Sequence, residues 1–546
     1  MRISKLKRVV TLVASTSLLS LTIVAIPTAA RAADPVCTTA NFIQTCVGTT
    51  SDTAPYMMMV PANFNGTVYL YSHGYRPNVP VPAGIPSLGG YTVTNTPEPV
   101  PGGDQRVAAA LLGKGYAVMG SGFAEQGWNA NSAVKTNVEL ISVFKKKFTK
   151  TTDVIAWGSS LGGHITQELA EEHPDLISAA APLCMASDIV PLATMAGDAV
   201  WAIKTFFDPT IKGGNYSAGA AGYGEAMLDL QKILLVADSL GKAIAANAAA
   251  PAWPATSKVP DQLKALPSRS AMVLVALLAG LPLQSAHFDS ASAPAVLPEA
   301  SRTSFQIAIN PALAAIENVA NAAILGVLIM HDLEKQAGGQ FYDNTATNYS
   351  SRVAEDAAVW NAALSGNRGV EGLLGYLAVA PRVKGNAAAA AKLATLGAHT
   401  GKVDVPTVLF TGTADPITTA GNQQSIVDRY SAYYAEKWAD AKAEKRKSGN
   451  YKKPVNNLLV LWNFPPEKYT KFTALGTPDT TPAAATGTNH CNFTSAQLIA
   501  VTELLAYAAE NEKHLSGGAL LTKLRKAGNM TLDRGYSAPK LKYYGE

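Results

Sequence analysis

The chain has 546 residues, 48% of them hydrophobic and 16% charged, too long for one compact core and enough for two domains plus a leader. Its formal charge of +5 is confined to the start: Arg2, Lys5, Lys7, Arg8 and Arg31 precede Ala33 without an acidic residue, and the rest is balanced. That balance removes the electrostatic case for nucleic acid as a partner.

The basic cluster leads into an uncharged run over residues 9–26 and then Ala30-Arg31-Ala32. This is the order of a secretory signal peptide, expected over residues 1–32 with cleavage before Ala33. It predicts an exported chain whose mature part has no stable membrane insertion. Four cysteines, Cys37, Cys46, Cys184 and Cys491, are then expected to pair, with three connectivities formally open. Proximity favours Cys37 with Cys46, closing a short surface loop.

Residues 66–74 read as the first buried strand, and the Pro- and Gly-rich stretch 77–103 as an irregular loop over the sheet edge. A helix is expected over 105–112, a strand over 116–120, a helix over 138–148, a strand over 154–157 and a helix after it ended by Pro174. Residues 177–184 are apolar again. Strands alternating with helices at this spacing predict a mostly parallel sheet covered on both faces. The rhythm then changes. Residues 187–399 hold Ala- and Leu-rich helical stretches at 227–249, 271–281, 312–333, 353–363 and 386–396, read as a helical insertion; 271–281 is too short to span a bilayer. Alternation resumes with strands at 405–411 and 457–462 around a long helix from 422 to about 445, and a helix at 496–509. The tail from Lys513 carries no signal.

Gly158-Ser159-Ser160-Leu161-Gly162 is the chain's one G-x-S-x-G. It stands between an expected strand and an expected helix, as in a nucleophile elbow, where a sharp turn lifts the serine hydroxyl above the sheet end. Only Ser160, not Ser159, has glycine two positions away on both sides. A serine needs a base to take its proton and an acid to fix that base's tautomer. In this architecture they follow in the order acid, histidine. Asp415 lies just past the 405–411 strand and His490 in the loop after the next one. Asp188, after the strand following the elbow helix, is the competing acid. For the developing oxyanion, the Leu161 N–H at the helix start is one expected donor; the other is expected at His73-Gly74-Tyr75, with Tyr75 favoured and Gly74 close behind.

Gly158 to Gly162, His73-Gly74, Gly412-Thr-Ala-Asp415 and Asn489-His490 together resemble the α/β-hydrolase superfamily of serine hydrolases, over residues 66–182 and 403–509. The resemblance implies an α/β fold, an eight-stranded sheet with a large inserted helical cap, acyl-enzyme chemistry and no cofactor. It divides the chain into the leader (1–32), a first core part (33–186), the cap (187–400) and a second core part (401–546). On that fold Cys184 and the His490 loop meet at one sheet edge, which pairs Cys184 with Cys491. A cysteine beside the histidine is similar to the tannase and feruloyl-esterase group, although there its partner adjoins the serine, where this chain has Ser159. No metal pattern (H-E-x-x-H, C-x-x-C or a calcium loop) is present. The reading is a secreted hydrolase of small-molecule or polymeric carboxylic esters. A peptidase or amidase on the same residues and a non-catalytic binding protein are the alternatives; oligomeric state is not legible.

Overall fold

The computed structural model describes residues 34–85, 88–353, 367–539 and 541. The expected leader, and residues 354–363 of the helix expected at 353–363, lie outside these. Among the described residues nine strands form one sheet: β1 (Val36–Ala40), β2 (Ile43–Thr49), β3 (Pro55–Pro61), β4 (Thr67–Ser72), β5 (Ala117–Ser121), β6 (Asp153–Ser159), β7 (Ala179–Leu183), β8 (Thr407–Gly412) and β9 (Leu458–Asn463). Their order is β1-β2-β3-β5-β4-β6-β7-β8-β9. β1 to β3 run antiparallel to their neighbours, and β4 to β9 pair in parallel.

Two features of this sheet depart from the sequence reading. Residues 37–46 are a β-hairpin rather than a loop, with Cys37 directly opposite Cys46, joined as a disulfide. β3 precedes the 66–74 strand; its sequence PYMMMVP alternates with a period of two, with Tyr56, Met58 and Val60 buried. The hairpin adds one edge strand to the eight implied.

Alternation along the central strands divides two cores. Val68, Leu70, Val154 and Ala156 face α2 (Ala130–Lys147) and α3 (Leu161–Glu172), while Tyr69, Tyr71, Ile155 and Trp157 face α1 (Gln105–Gly113) and the helix Ser495–Asn511. Asp104 caps α1, its carboxylate accepting from the Arg106 and Val107 N–H groups. The tail beyond Lys513 is structured: the helix Gly517–Ala527 buries Leu520 and Leu524, and Thr531 exchanges backbone hydrogen bonds with Trp462. The Leu520/Leu524 spacing of four marks that helix in the sequence.

Between β7 and β8 the chain is helical, as expected of the insertion: α4 (Ile189–Phe206), α5 (Gly219–Ala246), α6 (Asp261–Lys264), α7 (Ser268–Ala279), α8 (Glu299–Ala308), α9 (Asn310–Ala337), α10 (Tyr349–Val353), then Asn367–Val379 and Ala387–Leu393. α7 is entirely buried. The stretch covering α8 and α9 is apolar enough to cross a membrane by composition, yet α9 packs on α4, α5 and α7. A buried core helix gives the same signal.

Candidate active site

β6 ends in a tight turn into α3. Gly158 and Gly162 stand where the strand and α3 pass each other: a Cβ on Gly162 would lie 1.9 Å from the Ser72 carbonyl oxygen, and one on Gly158 2.3 Å from that of Gly162. Neither position has room for a side chain. The residue between them that carries the bend is Ser160, at φ 60°, ψ −122°, a conformation non-glycine residues adopt at a cost of about 1–3 kcal/mol. Its N–H donates to the Leu183 carbonyl, 3.0 Å away, fastening the turn to β7.

His490 reaches this turn from the loop after β9. Its Nε2 lies 2.9 Å from the Ser160 Oγ, and its Nδ1 lies 2.9 Å from Asp415 Oδ2 and 3.1 Å from Oδ1. The structure thus brings Ser160, His490 and Asp415 into one hydrogen-bonded line. Ser159, one residue earlier, instead turns to the Tyr71 hydroxyl on the opposite face. Asp415 is buried, and its carboxylate accepts N–H groups from Ile417 (2.8 Å), Thr418 (3.0 Å) and Cys491 (3.1 Å). Those donors fix the carboxylate plane. Asp188 lies elsewhere: it pairs with Arg429 and accepts the His399 N–H at 3.0 Å, so it does not compete for His490.

Two further groups hold the histidine loop. Cys491, beside His490, is bonded to Cys184, with Cα atoms 5.5 Å apart; its sulfur lies 3.5 Å from His490 Nε2. Thr418, unmarked by any motif, donates to the Cys184 carbonyl at 2.7 Å and sits 3.2 Å from Asp415 Oδ2 and 3.4 Å from His490 Nδ1. Asp415, His490 and Cys491 also cluster as metal ligands would, but a disulfide sulfur is not a thiolate and cannot serve as one.

The expected oxyanion donors border the same space. Gly74 packs so closely that a Cβ there would lie 3.2 Å from Ser160 Cβ. The Tyr75 N–H has no acceptor among the described residues, and Leu161 opens α3, where backbone N–H groups lack helical partners. Tyr75, Ser160 and Leu161 line a cavity of about 100 Å³, partly open to solvent, whose other walls come mostly from α4 and α9. Among the described residues, no Asp, Glu, Lys, Arg or His lines it.

Setting aside the edge strand β1, the eight remaining strands run in the order 1-2-4-3-5-6-7-8, with the serine elbow after the fifth and the helical insertion after the sixth. The fold is an α/β-hydrolase fold. No family model and no curated protein matches this α/β-hydrolase-fold chain. Among solved structures it is similar to feruloyl esterase B from Aspergillus oryzae (11% identity, 87% of this chain and 82% of that one, TM-score 0.32). It is also similar to the rice cell wall degrading esterase LipA from Xanthomonas oryzae (12%, 80% and 92%, TM-score 0.32). A shorter match is an acetyl xylan esterase from Aspergillus awamori (19%, 27% and 51%, TM-score 0.18).

Proposed function

We propose that this chain is an exported serine hydrolase that cleaves carboxylic esters. The observation that carries the reading is the line from Ser160 Oγ through His490 to Asp415, at 2.9 Å on each side of the imidazole. In it, Ser160 attacks the ester carbonyl while His490 Nε2 takes its proton. Asp415 keeps the other proton on Nδ1, presenting the correct tautomer, and stabilises the imidazolium. The carbonyl oxygen, now anionic, meets the N–H groups of Leu161 and Tyr75. His490 returns its proton to the leaving alkoxide, releasing the alcohol and leaving an acyl-Ser160. Water, deprotonated by His490, then frees the acid by the same steps in reverse.

The cavity beside Ser160 favours esters over peptides, because its walls carry no charged group to receive a peptide's termini or ionised side chains. Two disulfides among the described residues support export to an oxidising compartment, where such bonds persist. No cofactor enters these steps.

The test is labelling with a fluorophosphonate, followed by peptide mapping. Wild type and Ser159→Ala are expected to carry the adduct on Ser160. Ser160→Ala is expected to carry none and to lose hydrolysis of nitrophenyl esters by about 10⁶-fold. An adduct on Ser159, or faster cleavage of aminoacyl anilides than of matched esters, overturns the assignment.

A further inference from the structure

Two helices of the insertion form much of the wall of the cavity at Ser160, and among the Ile, Leu, Val and Met side chains they turn to it are six Ala and Gly positions. α4 presents Ala193, Ala196 and Ala199, while α9 presents Ala322, Ala323 and Gly326. A Cβ on Gly326 would stand 3.9 Å from that of Ala196, in ordinary contact and with no backbone strain. The apolar cavity between the two helices is therefore a slot that narrows where Ala196 and Gly326 approach, and Ser160 lines it at the sheet.

The walls also state what the slot can hold. Thr418 Oγ1 is committed to Cys184 and Asp415, and Trp128 Nε1 donates to the Leu396 carbonyl. Apart from Ser160, the Tyr75 hydroxyl is the one side-chain polar atom of the lining without a partner among the described residues. A sugar placed here would bury several hydroxyls with one partner between them, each costing about 1–3 kcal/mol. An alkyl chain asks for no partner and gains from every methylene removed from water.

We infer that the slot between α4 and α9 binds an unbranched aliphatic chain of the ester substrate, and that Gly326 sets how long a chain it accepts. This rests on Ser160 being the nucleophile, since that places the scissile ester at the slot's inner end. Each methylene housed there raises kcat/KM by about fourfold, the equivalent of about 0.8 kcal/mol per buried CH₂, until the slot is full. A side chain at position 326 projects into the slot and shortens it.

The experiment measures kcat/KM on nitrophenyl esters from acetate to dodecanoate, and on acetates of alcohols of the same lengths, which separates an acyl chain from an alcohol chain. Wild type is expected to climb with length in one of the two series. In Gly326→Phe the ratio of octanoate to acetate (or octyl to methyl acetate) falls at least tenfold. Gly326→Leu, a smaller plug that suits a helix, shifts the ratio less. Gly224→Phe, on the outer side of α5 with open space around it, leaves it at the wild-type value. Calorimetric binding of the same esters to Ser160→Ala, with and without Gly326→Phe, reads the slot without chemistry. If Ser160 takes no fluorophosphonate but Ser160→Ala still binds octanoate more tightly than acetate through Gly326, the nucleophile is misassigned and the slot stands. Flat length profiles, a preference for aromatic acyl groups, or a Gly326→Phe effect equal at all lengths overturns the slot.

Discussion

Asp415 and Asp188 are both buried carboxylates at the sheet's C-terminal edge, and their partners decide between them. Asp415 faces His490 Nδ1, whereas both oxygens of Asp188 are taken by Arg429. Asp415→Asn is therefore expected to lower kcat by about 10⁴-fold by favouring the wrong tautomer of His490. Asp188→Asn leaves Arg429 short of its counter-ion and shows mainly as lost stability in denaturant titration. The reverse ranking in kcat would reassign the acid. Beneath the elbow, burial holds His164 and His399 down at about 3, 3.0 Å from each other. Unfolding returns both to the ordinary value of 6.5, so the unfolded chain binds more protons below that pH. Their stabilisation is complete above 6.5 and is lost as pH falls towards 3. Glu168, pushed up to about 7 by burial, acts oppositely, since the native state keeps its proton between about 4.5 and 7. His399→Asn is accordingly expected to reduce the fall in unfolding free energy between pH 6.5 and 4.5 by about 1.4 kcal/mol per pH unit. Parallel curves for wild type and variant would mean that His399 titrates normally in the folded chain.

At the scale of elements, the site is assembled from two kinds of support. Ser160 is positioned by a strand and helix whose contact leaves no freedom. His490 sits on a loop flanked by Asn489 and Cys491, both at positive φ (60° and 50°), which the β9 end alone does not fix. The Cys184–Cys491 bond connects that loop to the end of β7 across 307 residues of sequence. Its removal in Cys184→Ala/Cys491→Ala frees the base to drift. A misplacement of about 1 Å costs up to about 10²-fold in rate. The double variant is expected to lose about 10- to 100-fold in kcat with little change in KM, alongside a lower melting temperature from the loss of a long loop's constraint. Unchanged kcat would show that the Ile417, Thr418 and Cys491 backbone contacts to Asp415 suffice to hold the histidine.

At the scale of the molecule, polar contacts tie the insertion to the sheet domain. Asp332 on α9 accepts the Trp128 N–H at 2.6 Å and the Asn78 side-chain amide at 2.7 Å. His287 hydrogen-bonds Glu317 of α9 at 2.5 Å and the Pro482 carbonyl, in the loop leading to His490, at 2.9 Å. Asp332→Ala leaves the Trp128 and Asn78 donors unmatched, at about 1–3 kcal/mol for each buried group. Calorimetry is expected to show a lower melting temperature with the Ser160 line still reactive to a small fluorophosphonate. Loss of labelling at a temperature where the variant is folded would mean that the insertion also aligns the catalytic groups.

The sequence by itself determined the turn at Ser160, the Asp415 and His490 that meet it, the parallel sheet and the helical insertion. Each rests on a local signal: a glycine pair, a strand-end aspartate, or a hydrophobic period. The N-terminal hairpin escaped because a disulfide nine residues long reads equally as a loop or as two paired strands, and only the partner strand β3 settles the register. Thr418 escaped because a threonine three residues past an aspartate is unremarkable until Cys184 and His490 converge on it from distant parts of the chain. The apolar slot belonged wholly to the tertiary structure. Alanines on α4 and α9 have the same pattern whether two helices touch or stand apart, and the space between them is decided by how both pack over the sheet.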